Sequence, residues 1–88
     1  MNVTYSSNFR RAYRKRIQKN TEIVKRFYTR VEWFMDDPFD PRLRTHKLSG
    51  ELADLWSFSI TYDIRVIFYF TDQDSAVFID IGSHDEVY

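Results

Sequence analysis

The sequence predicts an α+β fold, with an N-terminal helical hairpin packed on an antiparallel sheet of three to four strands. Apolar residues recur at three- and four-residue spacing over residues 7–35, which is typical of amphipathic helices. Pro38 and Pro41 end this pattern, because proline lacks a backbone donor and disfavours helix in the residue before it. From Trp56 onward apolar and polar residues alternate, which indicates strands with one buried face.

A short strand at residues 3–5 and two helices are predicted before the prolines. Ser6 or Ser7 is suited to accept a backbone hydrogen bond at the start of the first helix, which reaches to about Lys19. The second helix covers residues 22–35. Because the connection between them is short, the two helices are expected to form a hairpin.

A β-hairpin is predicted after the loop, from residues 56–60 and 64–70. Pairing of Ile60 with Ile64 keeps both apolar sets on one face, whereas a slip of one residue would mix them. The same register puts Arg65 opposite Ser59 and on the face away from the helices.

A last strand is predicted at residues 76–81, and a short segment follows Gly82. No repeat, low-complexity stretch or linker interrupts the chain, so residues 1–88 are expected to form a single domain. A domain of this size buries only a little over roughly 60% of its unfolded surface. Any active site is therefore expected to be a shallow surface groove.

The composition points to an unexported, cytoplasmic protein. The chain has no cysteine, which excludes disulfides and thiolate chemistry and suits a reducing compartment. Residues 1–5 lack the pattern of a signal peptide, and no apolar run approaches the roughly 20 residues that cross a bilayer. No membrane partner is expected.

The charge is divided unevenly along the chain although the net charge is zero. Residues 1–30 hold nine of the 13 basic groups and a single acid, Glu22. A basic helical segment can bind RNA phosphates or an acidic partner, or it can be a solvated face. The candidates on the first helix are Arg10, Arg11, Arg14, Lys15 and Lys19.

Two histidines and one arginine are the main candidates for chemistry. Arg65 interrupts an apolar strand, so it must be paired with an acid, turned to solvent or used to hold a phosphate. His46 and His84 are the only histidines, and with Arg65 they would supply a base, an acid and an anion stabiliser. Two histidines 38 positions apart make a weak metal signal, so no metal is expected. The terminal Tyr88 is either a core anchor or a platform for an unpaired base.

Four stretches in the second half of the chain resemble the RelE/ParE toxin superfamily, most closely its YafQ-like branch. They are HKLSG at 46–50, LWSF at 55–58, DIRVIF at 63–68 and GSHDEVY at 82–88. The resemblance implies a RelE-like fold and a toxin of a type II toxin-antitoxin system. It implies an endoribonuclease that cuts mRNA in the A site of the 70S ribosome without metal or another cofactor. The partners implied are that mRNA and a cognate antitoxin.

The resemblance also implies roles for individual residues. His46 corresponds to a loop histidine that acts as base or phosphate contact, and Arg65 to an arginine that stabilises the scissile phosphate. His84 corresponds to the group that protonates the leaving 5′-oxygen, and Tyr88 to an aromatic residue that orients the nucleotide. Which histidine is base and which is acid stays open. Further candidates at this site are Asp63 and Lys47.

Two positions depart from the pattern of the relatives. Ser59 stands where many relatives have a basic or histidine side chain, and Asp80 stands where some have arginine. Both changes remove positive charge near the phosphate. Two alternatives stay open: a ParE-like inhibitor of DNA gyrase, or a catalytically weak or inactive homologue that only binds antitoxin. The missing charge at Ser59 would suit the second.

Overall fold

The computed structural model describes residues 1–88 and has an α+β architecture with a five-stranded mixed sheet. The helices are α1 (Ser7–Arg16), α2 (Thr21–Asp36) and α3 (His84–Val87). The strands are β1 (Asn2–Tyr5), β2 (His46–Lys47), β3 (Trp56–Ser59), β4 (Ile64–Asp72) and β5 (Ser75–Ser83). They lie in the order β1-β5-β4-β3-β2, and only β1 and β5 are parallel. Two 3-10 turns, Pro41–Leu43 and Gly50–Leu52, flank β2. No helix combines the length and the apolar character needed to cross a membrane.

The two predicted helices are present, with side-chain caps at their N-termini. The Ser6 hydroxyl accepts from the Phe9 amide at 3.0 Å. The side chain of Asn20 accepts from the Ile23 amide at 3.2 Å and so begins α2. Helix α1 ends at Arg16, earlier than predicted, because the chain must turn before Asn20 can adopt the extended backbone of a cap.

The predicted hairpin register is confirmed. Ser59 pairs with Arg65, and the Ile60 amide donates to the Ile64 carbonyl at 2.8 Å. The expectation of three to four antiparallel strands was too low. It missed the two-residue β2, which is too short to display an alternating pattern, and the parallel pairing of β1 with β5.

The core lies between the two long helices and one face of the sheet. Phe34 of α2 is fully buried at its centre. Its ring centroid lies 4.9 Å from those of Phe58 and Phe68 and 5.2 Å from that of Phe78. Because Ser57 precedes Phe58 on β3, its side chain points to the opposite, second face of the sheet. That second face carries His46, Ser59 and Arg65.

Candidate active site

His46 is held on the second face of the sheet with one ring nitrogen committed to the backbone. It pairs with Ser57 across β2 and β3, so both side chains leave the sheet on the same side. Its Nδ1 lies 2.9 Å from the carbonyl oxygen of Arg44. A carbonyl only accepts hydrogen bonds, so Nδ1 carries the proton in this contact and Nε2 of the neutral ring is free to accept one. Arg44 adopts a left-handed backbone conformation with a φ of 54°.

The C-terminal helix α3 is fixed by a capping box. The Ser83 amide donates to the Glu86 carboxylate at 2.7 Å, and the Ser83 side chain in return accepts from the backbone of Glu86. The hydrogen bond from the Ser83 backbone lowers the pKa of Glu86, and the charge of Arg16 contributes in the same direction. Gly82 allows this arrangement, because a Cβ there would lie 2.9 Å from Oε1 of Glu86. Helix α3 therefore starts at a defined point.

Arg16 joins α1 to the end of β5 and to α3. One of its terminal nitrogens lies 3.1 Å from both the Asp80 carboxylate and the Ile81 carbonyl oxygen. Its Nε lies 3.6 Å from Glu86. Asp80 is thus paired with an arginine from another element. No pattern in the sequence singles out Arg16, because its partners are 64 and more positions away.

His84 and Tyr88 meet across one turn of α3. Their ring centroids are 4.4 Å apart with an interplanar angle of 77°. Tyr88 lines a shallow groove of about 300 Å³ together with His46 and Lys47. The other lining residues are Leu48, Ser49 and Leu52. The predicted residues His46, Lys47 and Tyr88 thus share one groove. His84 does not line this groove, but its ring contacts that of Tyr88.

Arg65 does not line this groove. One of its terminal nitrogens donates to the carbonyl oxygens of Thr61 and Tyr62 at 3.0 and 2.8 Å, so its guanidinium lies over the turn of the β3–β4 hairpin. It forms no ion pair with Asp63, Asp80 or a terminal acid. Asp63 is exposed in the same turn, where its amide donates to the Thr61 hydroxyl.

A second concave surface, here called the arginine pocket, contains Arg65. It has a volume of about 250 Å³ and is lined by five arginines and by Ser59, Ile60, Thr61 and Tyr62. The arginines are Arg26, Arg30, Arg42, Arg44 and Arg65. Of these, only Arg65 was predicted from the sequence as a site residue. The spacing of Arg26 and Arg30, four positions apart, was the available signal that two of them share a helix face.

The basic residues of α1 do not form one surface. Arg10 and Arg14 flank a groove of about 320 Å³ between α1 and α2, whose apolar walls are Tyr5, Phe9, Tyr13, Phe27 and Tyr28. Burial raises the pKa of Tyr5 and of Tyr13 in this groove. The other predicted basic candidates, Arg11, Lys15 and Lys19, are exposed outside the groove. No three His, Asp or Glu side chains come together as a group of potential metal ligands.

The fold is that of the RelE-like toxins, as comparison with solved structures shows. YafQ from E. coli strain BL21(DE3) superposes with a TM-score of 0.82 at 16% identity, covering 99% of this chain and 97% of that one. A metal-bound toxin from Helicobacter pylori gives 0.81 at 22% identity, covering 100% and 99%. The YoeB-YefM complex from Staphylococcus aureus gives 0.76 at 19% identity, covering 96% and 97%. These likenesses concern the fold.

The sequence itself assigns the family. Residues 1–88 match the family model described as the bacterial toxin of type II toxin-antitoxin system, YafQ. A comparison with curated proteins finds no match. The chain therefore belongs to the YafQ family of type II toxin-antitoxin toxins.

Proposed function

We propose that this toxin is an endoribonuclease that cleaves ribosome-bound mRNA without a metal ion, using the ribose 2′-hydroxyl as nucleophile. One observation carries the proposal: His46 and Tyr88 line one groove, and the ring of His84 touches that of Tyr88. Two groups able to exchange protons beside an aromatic platform are what general acid-base cleavage of an unpaired strand requires. A groove this shallow suits an unpaired strand that is presented with its bases accessible.

In the proposed reaction His46 is the base and His84 the acid. The free Nε2 of His46 takes the proton of the 2′-hydroxyl as the oxygen attacks the adjacent phosphorus. The bond from phosphorus to the 5′-oxygen breaks, and His84 donates a proton to that oxygen. The products are a 2′,3′-cyclic phosphate and a free 5′-hydroxyl, so no water or cofactor is consumed. Each proton-transfer group is expected to contribute on the order of 10²–10⁴ in rate.

Cationic groups near the groove would stabilise the charge that develops on the phosphate. Lys47 lines the groove beside His46. Arg65 is held by one terminal nitrogen, which leaves other guanidinium donors free to bind a phosphate that reaches across Ser59. Tyr88, 42% exposed, would stack on the base next to the cleaved bond.

The test is induction of the protein in growing cells, followed by primer extension on abundant mRNAs. New mRNA ends should appear with the wild type and disappear with His84→Ala or His46→Ala. A matched control is Asp74→Ala, an exposed change in the turn at the opposite end of β5. Intact mRNA together with accumulation of relaxed DNA would contradict the proposal and favour a ParE-like gyrase inhibitor. Intact mRNA with normal DNA would favour an inactive antitoxin binder.

We further propose that an antitoxin occupies the groove between α1 and α2. The solved YoeB-YefM complex from Staphylococcus aureus pairs a similar fold with a second protein. Apolar walls between Arg10 and Arg14 fit an amphipathic segment with acidic edges. Reversing both charges to glutamate should abolish rescue by the product of the neighbouring gene, whereas Lys25→Glu outside the groove should not. Undiminished rescue would exclude this groove.

A further inference from the structure

The arginine pocket concentrates positive charge that the protein itself leaves uncompensated. Of its five guanidinium groups only that of Arg42 forms an ion pair, with Asp40 at 2.8 Å. No carboxylate lines the pocket. Burial and the charges of Arg26 and Arg42 lower the pKa of Arg30. Like charges held together without a counter-ion favour an anionic ligand.

Three of the five arginines, Arg30, Arg42 and Arg65, are positioned by contacts with the fold, whereas Arg26 and Arg44 are exposed. Arg30 donates through Nε to the Ile60 carbonyl at 3.1 Å, and Arg65 donates to the carbonyls of Thr61 and Tyr62. Arg30 and Arg42 both lie over the ring of Trp33, at 4.4 and 3.6 Å from its centroid. These contacts use only part of each guanidinium. The remaining donors can therefore bind a ligand with little further loss of side-chain entropy.

An aromatic side chain at the rim distinguishes between phosphate-bearing and peptide ligands. Tyr62 lines the pocket and is 93% exposed. An exposed aromatic beside a positively charged groove is the combination by which proteins bind single strands, with bases stacked and phosphates paired. An acidic peptide would pair with the arginines but would offer no base to stack on the Tyr62 ring.

The pocket has one lining residue on the same face of the sheet as His46 of the proposed cleavage groove. Ser59, which lines the pocket, follows two residues after Ser57, the strand partner of His46. Two residues of strand span about 7 Å and point to the same face. We propose that the arginine pocket binds the backbone of single-stranded RNA next to the cleaved segment, with Tyr62 stacked on a base. This inference rests on the proposed function for the identity of the strand.

The test measures binding separately from cleavage. The probe is a fluorescent 2′-O-methyl oligonucleotide about ten nucleotides long, which lacks the free 2′-hydroxyl and is not cut. Affinity is measured by anisotropy over a range of salt concentrations with the full chain. For single strands, the logarithm of the binding constant falls by about 0.7 per phosphate contact for each tenfold rise in salt concentration. Loss of two contacts in R26Q/R44Q should therefore weaken binding about 25-fold at about 0.1 M salt. The slope of log affinity against log salt should become shallower by about 1.4. Both residues are exposed and make no side-chain hydrogen bond, so the variant should fold.

Two further comparisons separate the pocket from general charge effects. Arg26→Gln alone should weaken binding about fivefold, whereas Lys25→Gln, its exposed neighbour outside the pocket, should change it less than twofold. Tyr62→Ala should weaken binding at least about fivefold, and Tyr62→Phe should restore it. Equal losses for Lys25→Gln and Arg26→Gln would overturn the inference, since net charge would then explain both.

The remaining outcomes are also decisive. If R26Q/R44Q binds the oligonucleotide as the wild type does, the pocket does not hold RNA. If that variant loses only antitoxin binding, the pocket is a protein interface and the inference is wrong. If no variant and no wild-type protein cleaves mRNA while oligonucleotide binding still maps to the pocket, the proposed ribonuclease function fails and the binding site stands.

Discussion

Replacing Arg16 with methionine should loosen the helix that carries His84 and Tyr88. Methionine keeps the apolar stem of the side chain but removes the guanidinium. Two hydrogen bonds of 3.1 Å, to Asp80 and Ile81, and the 3.6 Å ion pair with Glu86 would then be absent. The Asp80 carboxylate, 23% exposed, would lose its ion-pair partner and keep only the hydrogen bond from the Ile81 amide at 2.9 Å.

The magnitude follows from the number and exposure of these interactions. A hydrogen bond to a charged group contributes about 1.5–3 kcal/mol, and screening at a side chain that is partly exposed reduces that value. We expect Arg16→Met to lower the free energy of unfolding by about 2 kcal/mol, a decrease in Tm of roughly 8–16 °C for a domain of this length. Cleavage should fall further than the loss of folded protein explains, because α3 loosens before the core unfolds.

Thermal unfolding followed by circular dichroism measures the first effect and primer extension the second. Arg11→Met is the matched control for stability, since it removes an exposed guanidinium from the same helix and should change the free energy of unfolding by less than about 0.5 kcal/mol. The double variant R16M/D80N should be less destabilised than the two single changes added together. Additive single effects, or an unchanged Tm for Arg16→Met, would refute this role of the ion pair.

Three further outcomes test the core and the cap of α3. Phe34→Ala should cost about 3–5 kcal/mol in urea unfolding, whereas Phe39→Ala, at a ring that is 53% exposed, should cost far less; similar costs would contradict the central place of Phe34. Folding lowers the pKa of Glu86, so its hydrogen bond from the Ser83 amide stabilises the folded protein fully above the ordinary pKa of a glutamate. This stabilisation is lost as the pH falls through the lowered pKa of the folded state. An acid titration followed at the Ser83 amide by NMR should therefore show a transition below about pH 4.3 that Glu86→Gln lacks. Gly82→Ala should push the Glu86 carboxylate away, and unchanged hydrogen exchange at the Ser83 amide would show that it does not.

The fold elements that could be predicted are those whose signal is local. The spacing of apolar residues predicts both long helices, and alternation predicts the hairpin with Ser59 opposite Arg65, as the structure confirms. Strand β2 was missed because two residues carry no period. The parallel pairing of β1 was missed because its partner lies more than 70 positions away.

The candidate site could be predicted as a set of residue types but not as an arrangement. His46, Lys47 and Tyr88 line one groove, whereas Arg65 turns toward the hairpin carbonyls and lies in the arginine pocket. The choice of those carbonyls depends on the local turn, which no periodicity encodes. Likewise, the sequence shows that Asp80 carries a negative charge, but not that Arg16 of α1 pairs with it.

By itself the sequence determined the helices, the hairpin register, the two histidines available for proton transfer and the resemblance to the YafQ-like toxins. These follow from residue type and from spacing within one element. Only the tertiary structure decided that His46 and Tyr88 share a groove and that arginines from three separate segments meet in one pocket. Such meetings depend on which elements pair and how side chains turn at their ends, and both are set by packing of the whole chain.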